Sequence, residues 1–331
     1  MAAVVCLDAE WWMKDPKPTT ELGTSELMAK NLFPTAHAGN LITSIQTAHA
    51  RIIPNAHLNV FPGAGNPECF NFGTTKFVTM TEAKQVLIDT FVRPSLGDLS
   101  NLQPIILICH AVEKEFQHLQ RAFGVDLRTY GTIVKVIDTQ VMAQEAGIVG
   151  PNGPYIRLSD LLADFNIYIS NLRSAGSDAA GTLIAAILIA LKNKLYPGVG
   201  TRKPPLTDNG QKCRHVVNAL QHPDFKSQAP AWGKKVYCTR CDRDIHSRAQ
   251  CRTHVCCDIC KNSGVKKLFN ARKTHTASRC LYQYVSYPLP PTDHAMSKAW
   301  RILDMMGWYV LGDEGGVGQW VRMITLRRPP G

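Results

Sequence analysis

The feature that most constrains this chain is a pair of cysteine and histidine quartets packed between Cys238 and Cys280. Cys238, Cys241, His246 and Cys251 stand in the spacing C-x2-C-x4-H-x4-C, and Cys257, Cys260, His275 and Cys280 repeat the same ends around a longer middle, C-x2-C-x14-H-x4-C. Three thiolates and one imidazole at that spacing let a short loop wrap tetrahedrally around one zinc ion. With four protein ligands the shell is closed and leaves no open position for water, so Zn2+ here is expected to be structural. Such a segment acts through what it displays.

The first spacing is that of a retroviral-type zinc knuckle, and the second resembles a knuckle with an insertion. Another grouping uses consecutive pairs, Cys238/Cys241, Cys251/His254, Cys257/Cys260 and His275/Cys280. It would build a cross-braced, RING-like protein-interaction module. The two schemes part at His246 and His254. Two knuckles are favoured because the first unit then needs no adjustment, whereas the cross-brace leaves an unusual last pair.

Charge is distributed to match. Residues 1–200 carry 15 Lys+Arg against 17 Asp+Glu, whereas residues 201–331 carry 22 against 9. A concentrated basic segment is what phosphate binding requires, although a solvated basic tail has the same composition. Within 231–280, Lys234, Lys235, Arg240, Arg243, Arg248, Lys266 and Lys267 are the expected phosphate contacts, with Trp232, Tyr237 and Phe269 as candidate stacking faces. Cations with aromatic faces suit an unpaired strand of RNA or DNA.

The chain has eleven cysteines. Its N-terminus, MAAVVCLDAEWW, lacks a basic stretch followed by an apolar one, and the expected compartment is therefore reducing, cytoplasmic or nuclear. The longest apolar run, 179–191, is shorter than the roughly 20 residues of a membrane span, and no membrane association is expected.

Ahead of the basic region, short β-rich runs (AVVCLDAEW, TKFVTM, PIILICH, TIVKVID) alternate with helical stretches (EAKQVLIDTFV, AVEKEFQHLQRAF, LSDLLADF, DAAGTLIAAILIALKNKL). This alternation predicts a mixed α/β layered domain over 1–195. Residues 196–235 are expected to form a linker, 236–282 the tandem CCHC units, and 283–331 a tail with a helix at 297–306 and strands at WYVL and QWVRMITL. The tail has no functional reading.

Asp8 and Glu10 end the first strand. Positions i and i+2 share a face of a strand, so both carboxylates converge on one place, a costly arrangement unless cations or solvent intervene. Glu115, on the helix after PIILICH, and Asp178, at the start of the apolar helix, are further acidic positions. Four carboxylates from three separate elements can hold two divalent metals for phosphodiester hydrolysis.

The order D-A-E on the first strand, H-A-V-E-K-E on a central helix and R-S-A-G-S-D at a later helix start resembles the DEDDh exonucleases of the ribonuclease H-like superfamily. Within them the chain is most similar to a fungal branch represented by a cofactor of an mRNA-export DEAD-box helicase. The stretches TTELGTSEL, AHARIIPNAHLNVFPG, FNFGTTKFV and VIDTQVMA add to the resemblance, which covers about residues 3 to 192. It implies a ribonuclease H-like α/β fold, a mixed sheet flanked by helices, and 3′ to 5′ exonuclease chemistry with Mg2+ or Mn2+ on Asp8, Glu10, Glu115 and Asp178. It also implies partners among single-stranded nucleic acids and RNA-processing or export proteins.

Two positions depart from the family. Glu115 stands where the family has an aspartate, and Arg173 where it has the histidine that deprotonates water. A guanidinium has donors and no acceptor, so it cannot act as that base. Weak or absent turnover is therefore expected, with a catalytically silent RNA-binding adaptor as the alternative. His110 is the remaining candidate base, although its place at the end of a strand suits a structural residue. Asp138 is expected to be a helix N-cap, and His49 and His57 to be core or loop residues.

Overall fold

The run AVVCLDAEW has apolar side chains at almost every position, as a strand covered on both faces requires, and it becomes the centre of the sheet. The structure is a computed structural model. It describes residues 2–12, 17–27, 33–58, 67–95, 98–151, 153–195, 208–222, 224 and 227–283, together with the backbone of two strands near the C-terminus.

Among the described residues of the N-terminal part, the strands are β1 (Ala3–Trp11), β2 (Thr19–Leu27), β3 (Gln46–Ile52), β4 (Thr75–Val78), β5 (Pro94–Ser95), β6 (Asp98–Leu102), β7 (Ile105–Cys109) and β8 (Ile133–Asp138). The helices are α1 (Gly39–Thr43), α2 (Met80–Phe91), α3 (Val112–Phe123), α4 (Thr139–Glu145), α5 (Leu158–Asp164), α6 (Ala175–Ala190) and α7 (Lys192–Leu195). Six strands form one mixed sheet in the order β4-β3-β2-β1-β7-β8. β1 pairs antiparallel with β2 and parallel with β7.

Alternate residues of β1 feed two cores. Val5, Leu7 and Ala9 pack with Leu87 and Phe91 of α2 and Leu119 and Phe123 of α3. Cys6 faces the opposite layer, with Leu161 and Leu162 of α5 and Leu183, Ile184 and Leu188 of α6. Helix α6 is apolar on every side because the sheet covers one side of it and α4 and α5 cover another. Its single charged residue, Asp178, lies in the first turn. The α/β arrangement read from the sequence, a mixed sheet flanked by helices, is the one formed.

Within the 196–235 stretch read as linker, Asp208–Leu220 forms helix α8, which packs on α1 and buries Cys213 and Val217. Its polar sequence, DNGQKCRHVVNAL, carries few apolar residues, so the narrow buried stripe was not legible. Further on lie the short helices α9 (Asp258–Lys261) and α10 (Lys266–Ala271) and the antiparallel pair β9 (Trp308–Leu311) and β10 (Gln319–Arg322). The tail helix expected at 297–306 lies outside the described residues. No helix among the described residues is long and apolar enough to cross a membrane.

Candidate metal centre and nucleic-acid interface

The Asp8, Glu10 and Asp178 carboxylates each offer an oxygen within 4.8 Å of the others. Strand β1 aims its two toward the start of α6, and Gly23 of β2 lets that helix come close. Gly23 pairs with Asp8, and a Cβ added to it would lie 1.9 Å from the Ala175 carbonyl oxygen. The contact is therefore backbone on backbone. A buried carboxylate next to it locks the arrangement. Glu21 accepts hydrogen bonds from the Ala175 amide at 3.1 Å, Arg51 Nη1 at 2.7 Å and His49 Nε2 at 2.9 Å. Burial tends to raise the Glu21 pKa, but the Arg51 charge and the His49 bond outweigh it and hold the group below its ordinary value.

The converging carboxylates behave in the opposite way. Burial first, then repulsion from Asp178 and Glu21, pushes Glu10 up to about 9. Burial also pushes Asp178 up to about 7 and, with the charge of Glu115, raises Asp8 well above its ordinary range. Asp8 Oδ2 and Glu115 Oε2 are buried acceptors without a hydrogen-bond partner. Crowded anionic oxygens with unsatisfied lone pairs fit a divalent cation held by hard oxygen ligands.

Glu115 is the exception to the expected quartet, because it is not in the group within 4.8 Å. Its carboxylate accepts the Ala9 backbone amide, and burial raises it to about 8.

Arg173 sits on the loop before α6, exposed, with φ 104°. Its backbone amide donates to Asp178 Oδ1 at 3.2 Å, and its positive charge counters the rise at both Glu10 and Asp178. The substituted position thus contributes an amide and a permanent cation. His110 has both ring nitrogens engaged, Nδ1 with Thr139 Oγ1 at 2.8 Å and Nε2 with the Ile156 carbonyl at 3.0 Å. Asp138 caps α4 through the Gln140 amide and also accepts from the Ala111 and Val112 amides at the start of α3. It therefore orients the helix bearing Glu115. His49 is fully buried.

The cysteine region contains two separate ligand sets. Cys238, Cys241, His246 and Cys251 have their ligand atoms within 4.8 Å of one another, as do Cys257, Cys260, His275 and Cys280. His254 is exposed and belongs to neither, so the geometry follows the two-knuckle grouping and not the cross-brace. His275 Nδ1 is 2.8 Å from Thr274 Oγ1, which leaves Nε2 facing Cys260 Sγ at 3.6 Å. A partner on the other ring nitrogen fixes the ring as metal sites require.

The expected nucleic-acid contacts divide into two kinds. Lys235, Arg243, Lys266 and Lys267 are exposed. Others have structural work: Arg240 donates to the Cys251 and Lys273 carbonyls at 3.0 Å each, Arg248 reaches the Thr239 carbonyl at 3.5 Å, and Lys234 pairs with Asp244 at 2.8 Å. Tyr237 is not a stacking face. It is 5% exposed and packed on Phe77, because the knuckle docks on the sheet edge there. Trp232 is half-buried against the core, whereas Phe269 is 43% exposed beneath the Arg272 guanidinium.

Sequence reading missed the docking itself. Lys234 and Phe77 exchange two backbone hydrogen bonds of 2.8 Å at the outer edge of β4. Arg279 of the second knuckle donates to the Ile53 and Pro54 carbonyls at 2.6 and 2.7 Å, to Tyr237 Oη at 2.6 Å and to Asp242 Oδ1 at 2.5 Å. One more arginine in a basic stretch gives no local signal for this role. Glu21 was visible only as part of a strand motif.

Among solved structures, the chain is similar to Escherichia coli exonuclease I in its zinc-bound complex with single-stranded DNA, at 14% identity and a TM-score of 0.38, over 59% of this chain and 41% of that one. A moderately thermophilic exonuclease I from Methylocaldum szegediense gives 14% identity and a TM-score of 0.36, over 58% and 41%. The chain thus spans about two fifths of the length of these exonucleases. No curated protein matches it. The family model DEDDh_C, described as DNA polymerase III subunit epsilon-like, C-terminal domain, matches residues 3–189. This match takes in more than half of the 331 residues and the carboxylate site, and the chain belongs to the DEDDh_C family.

Proposed function

We propose that this protein binds single-stranded nucleic acid, RNA in preference to DNA, and presents a 3′ end to a DEDDh-type centre with weak or absent turnover. The observation that carries this reading is the convergence of Asp8, Glu10 and Asp178 beside an arginine in place of the family's histidine. Mg2+ or Mn2+ would be held by these three carboxylates, with Glu115 behind them, and when bound would activate water and neutralise phosphate charge. The Arg173 guanidinium can bind a phosphate, but it has no acceptor site for the proton of water. The two cysteine and histidine sets would hold Zn2+ and keep the exposed lysines and arginines in place for the strand.

The fungal-branch placement, a cytoplasmic or nuclear location and partners in RNA processing or export belong to the same reading. They are supported by the family motifs and by cysteines grouped in ligand sets. A second reading, a silent adaptor, is favoured by Glu115, whose carboxylate is turned onto the Ala9 amide.

The test is decay of a 5′-labelled, 3′-tailed single-stranded RNA with Mn2+, comparing the native chain, Asp8→Asn and Arg173→His. The expected result is little or no native decay and a gain with Arg173→His. Robust native decay abolished by Asp8→Asn would overturn the weak-turnover reading. Silence in all three would leave the adaptor.

A further inference from the structure

A groove of about 570 Å³ runs between residues 68–77 of the nuclease domain and the first knuckle. Its volume lies within the roughly 300–1,000 Å³ of small-molecule and cofactor sites. The docking already described builds it: the Lys234–Phe77 backbone pair and the Arg279 node fix the knuckle wall against the domain wall. Neither part makes the groove alone.

The groove's lining holds none of the carboxylates but includes residues close to them in chain and packing. Asn171 lines it and precedes Arg173 by two residues, about 7 Å of extended chain. Phe70 also lines it and packs on Gly176, where an added Cβ would lie 2.8 Å from the ring. Gly176 is two residues before Asp178. Asn171 at φ 55° lies in the left-handed region that suits asparagine, whereas Arg173 has φ 104°, a conformation that non-glycine residues rarely adopt. Such strain persists where surrounding structure fixes it, and it concentrates at binding sites.

The lining chemistry suits a nucleotide chain. Lys235 offers an exposed ammonium, Asn171 and Ser247 offer an amide and a hydroxyl, and Glu68 adds a carboxylate able to accept from a sugar hydroxyl, whereas the aromatic rings are buried. That combination contacts phosphate and sugar without reading a base by stacking.

We propose that this groove holds single-stranded nucleic acid one to two nucleotides upstream of the 3′ end, with Lys235 on a backbone phosphate and Asn171 on the adjoining sugar. The proposal rests on the functional reading above and adds where the strand runs. It makes the docked knuckle part of the substrate path.

The test uses the full zinc-loaded chain without Mg2+ or Mn2+, with fluorescence anisotropy on 5′-labelled single-stranded RNA and DNA across a salt series. Lys235→Glu is compared with Lys84→Glu, the same charge change at an exposed site on α2, after zinc content confirms that both fold. Lys235→Glu is expected to weaken binding about tenfold and to lower the salt slope by about one, while Lys84→Glu stays within about twofold. A 4-thiouridine placed two nucleotides from the 3′ end is expected to crosslink to 68–77 or 235–247. Equal effects of the two variants, or crosslinks elsewhere, would overturn the groove and leave the functional reading standing. No binding by the native chain would overturn both.

Discussion

Gly23→Ala is the sharpest perturbation of the site that leaves every carboxylate in place. The added Cβ would lie 1.9 Å from the Ala175 oxygen, 2.1 Å from its carbonyl carbon and 2.4 Å from the Gly176 nitrogen, all backbone atoms without a rotamer to change. Ordinary contact begins near 3.4 Å, so the start of α6 must retreat from β2 by about 1.5 Å. That retreat breaks the Glu21 bond to the Ala175 amide and carries Asp178 away from Asp8 and Glu10. Overpacking of about 1–3 kcal/mol and loss of a charge-assisted hydrogen bond of about 1.5–3 kcal/mol together give roughly 3–5 kcal/mol. At about 2–4 °C per kcal/mol for a domain of this size, Tm should fall by roughly 6–20 °C. Mn2+ affinity, measured calorimetrically below the lowered Tm, should fall by about tenfold or more. A variant with Tm within about one degree of native and unchanged Mn2+ binding would refute the claim that this contact sets the site.

Other consequences can be checked separately. Burial and neighbouring carboxylates raise Asp8 well above its ordinary range, a folding cost that Asn does not carry, so without divalent metal Asp8→Asn should raise Tm by about 2–4 °C and abolish any Mn2+-induced gain, a trade of stability against binding. A lower Tm with the Mn2+ shift retained would contradict it. Glu21 has a folded pKa below its ordinary 4.5, so its contribution is fully present above that pH and is lost as pH falls through the folded value. Glu21→Gln should flatten the acid limb of the stability curve and lower its plateau by roughly 3–5 kcal/mol, as loss of a buried ion-pair partner does. Superimposable pH curves would count against the node. Metal analysis should find one zinc fewer in His246→Ala and no loss in His254→Ala, and the reverse would restore the cross-braced scheme.

What the sequence determined by itself is local chemistry. Strand and helix periods set the layers, because side chains alternate on a strand and every side of α6 reads apolar. Ligand spacing favoured the two Cys/His quartets whose ligand atoms the fold brings together, because a short loop gathers its own residues. Adjacency on β1 paired Asp8 with Glu10. What only the tertiary structure decided depends on contacts between distant segments. Glu115 was placed on the right helix, yet the direction of its longer arm is set by the Ala9 amide of another element. Tyr237 had the composition of a stacking face, yet β4 buries it. Glu21, Gly23 and Arg279 act across 154, 152 and 226 residues of chain. Their partners are set by sheet order and docking, which no local pattern encodes. The same long-range contacts hold the basic region against the outer edge of β4.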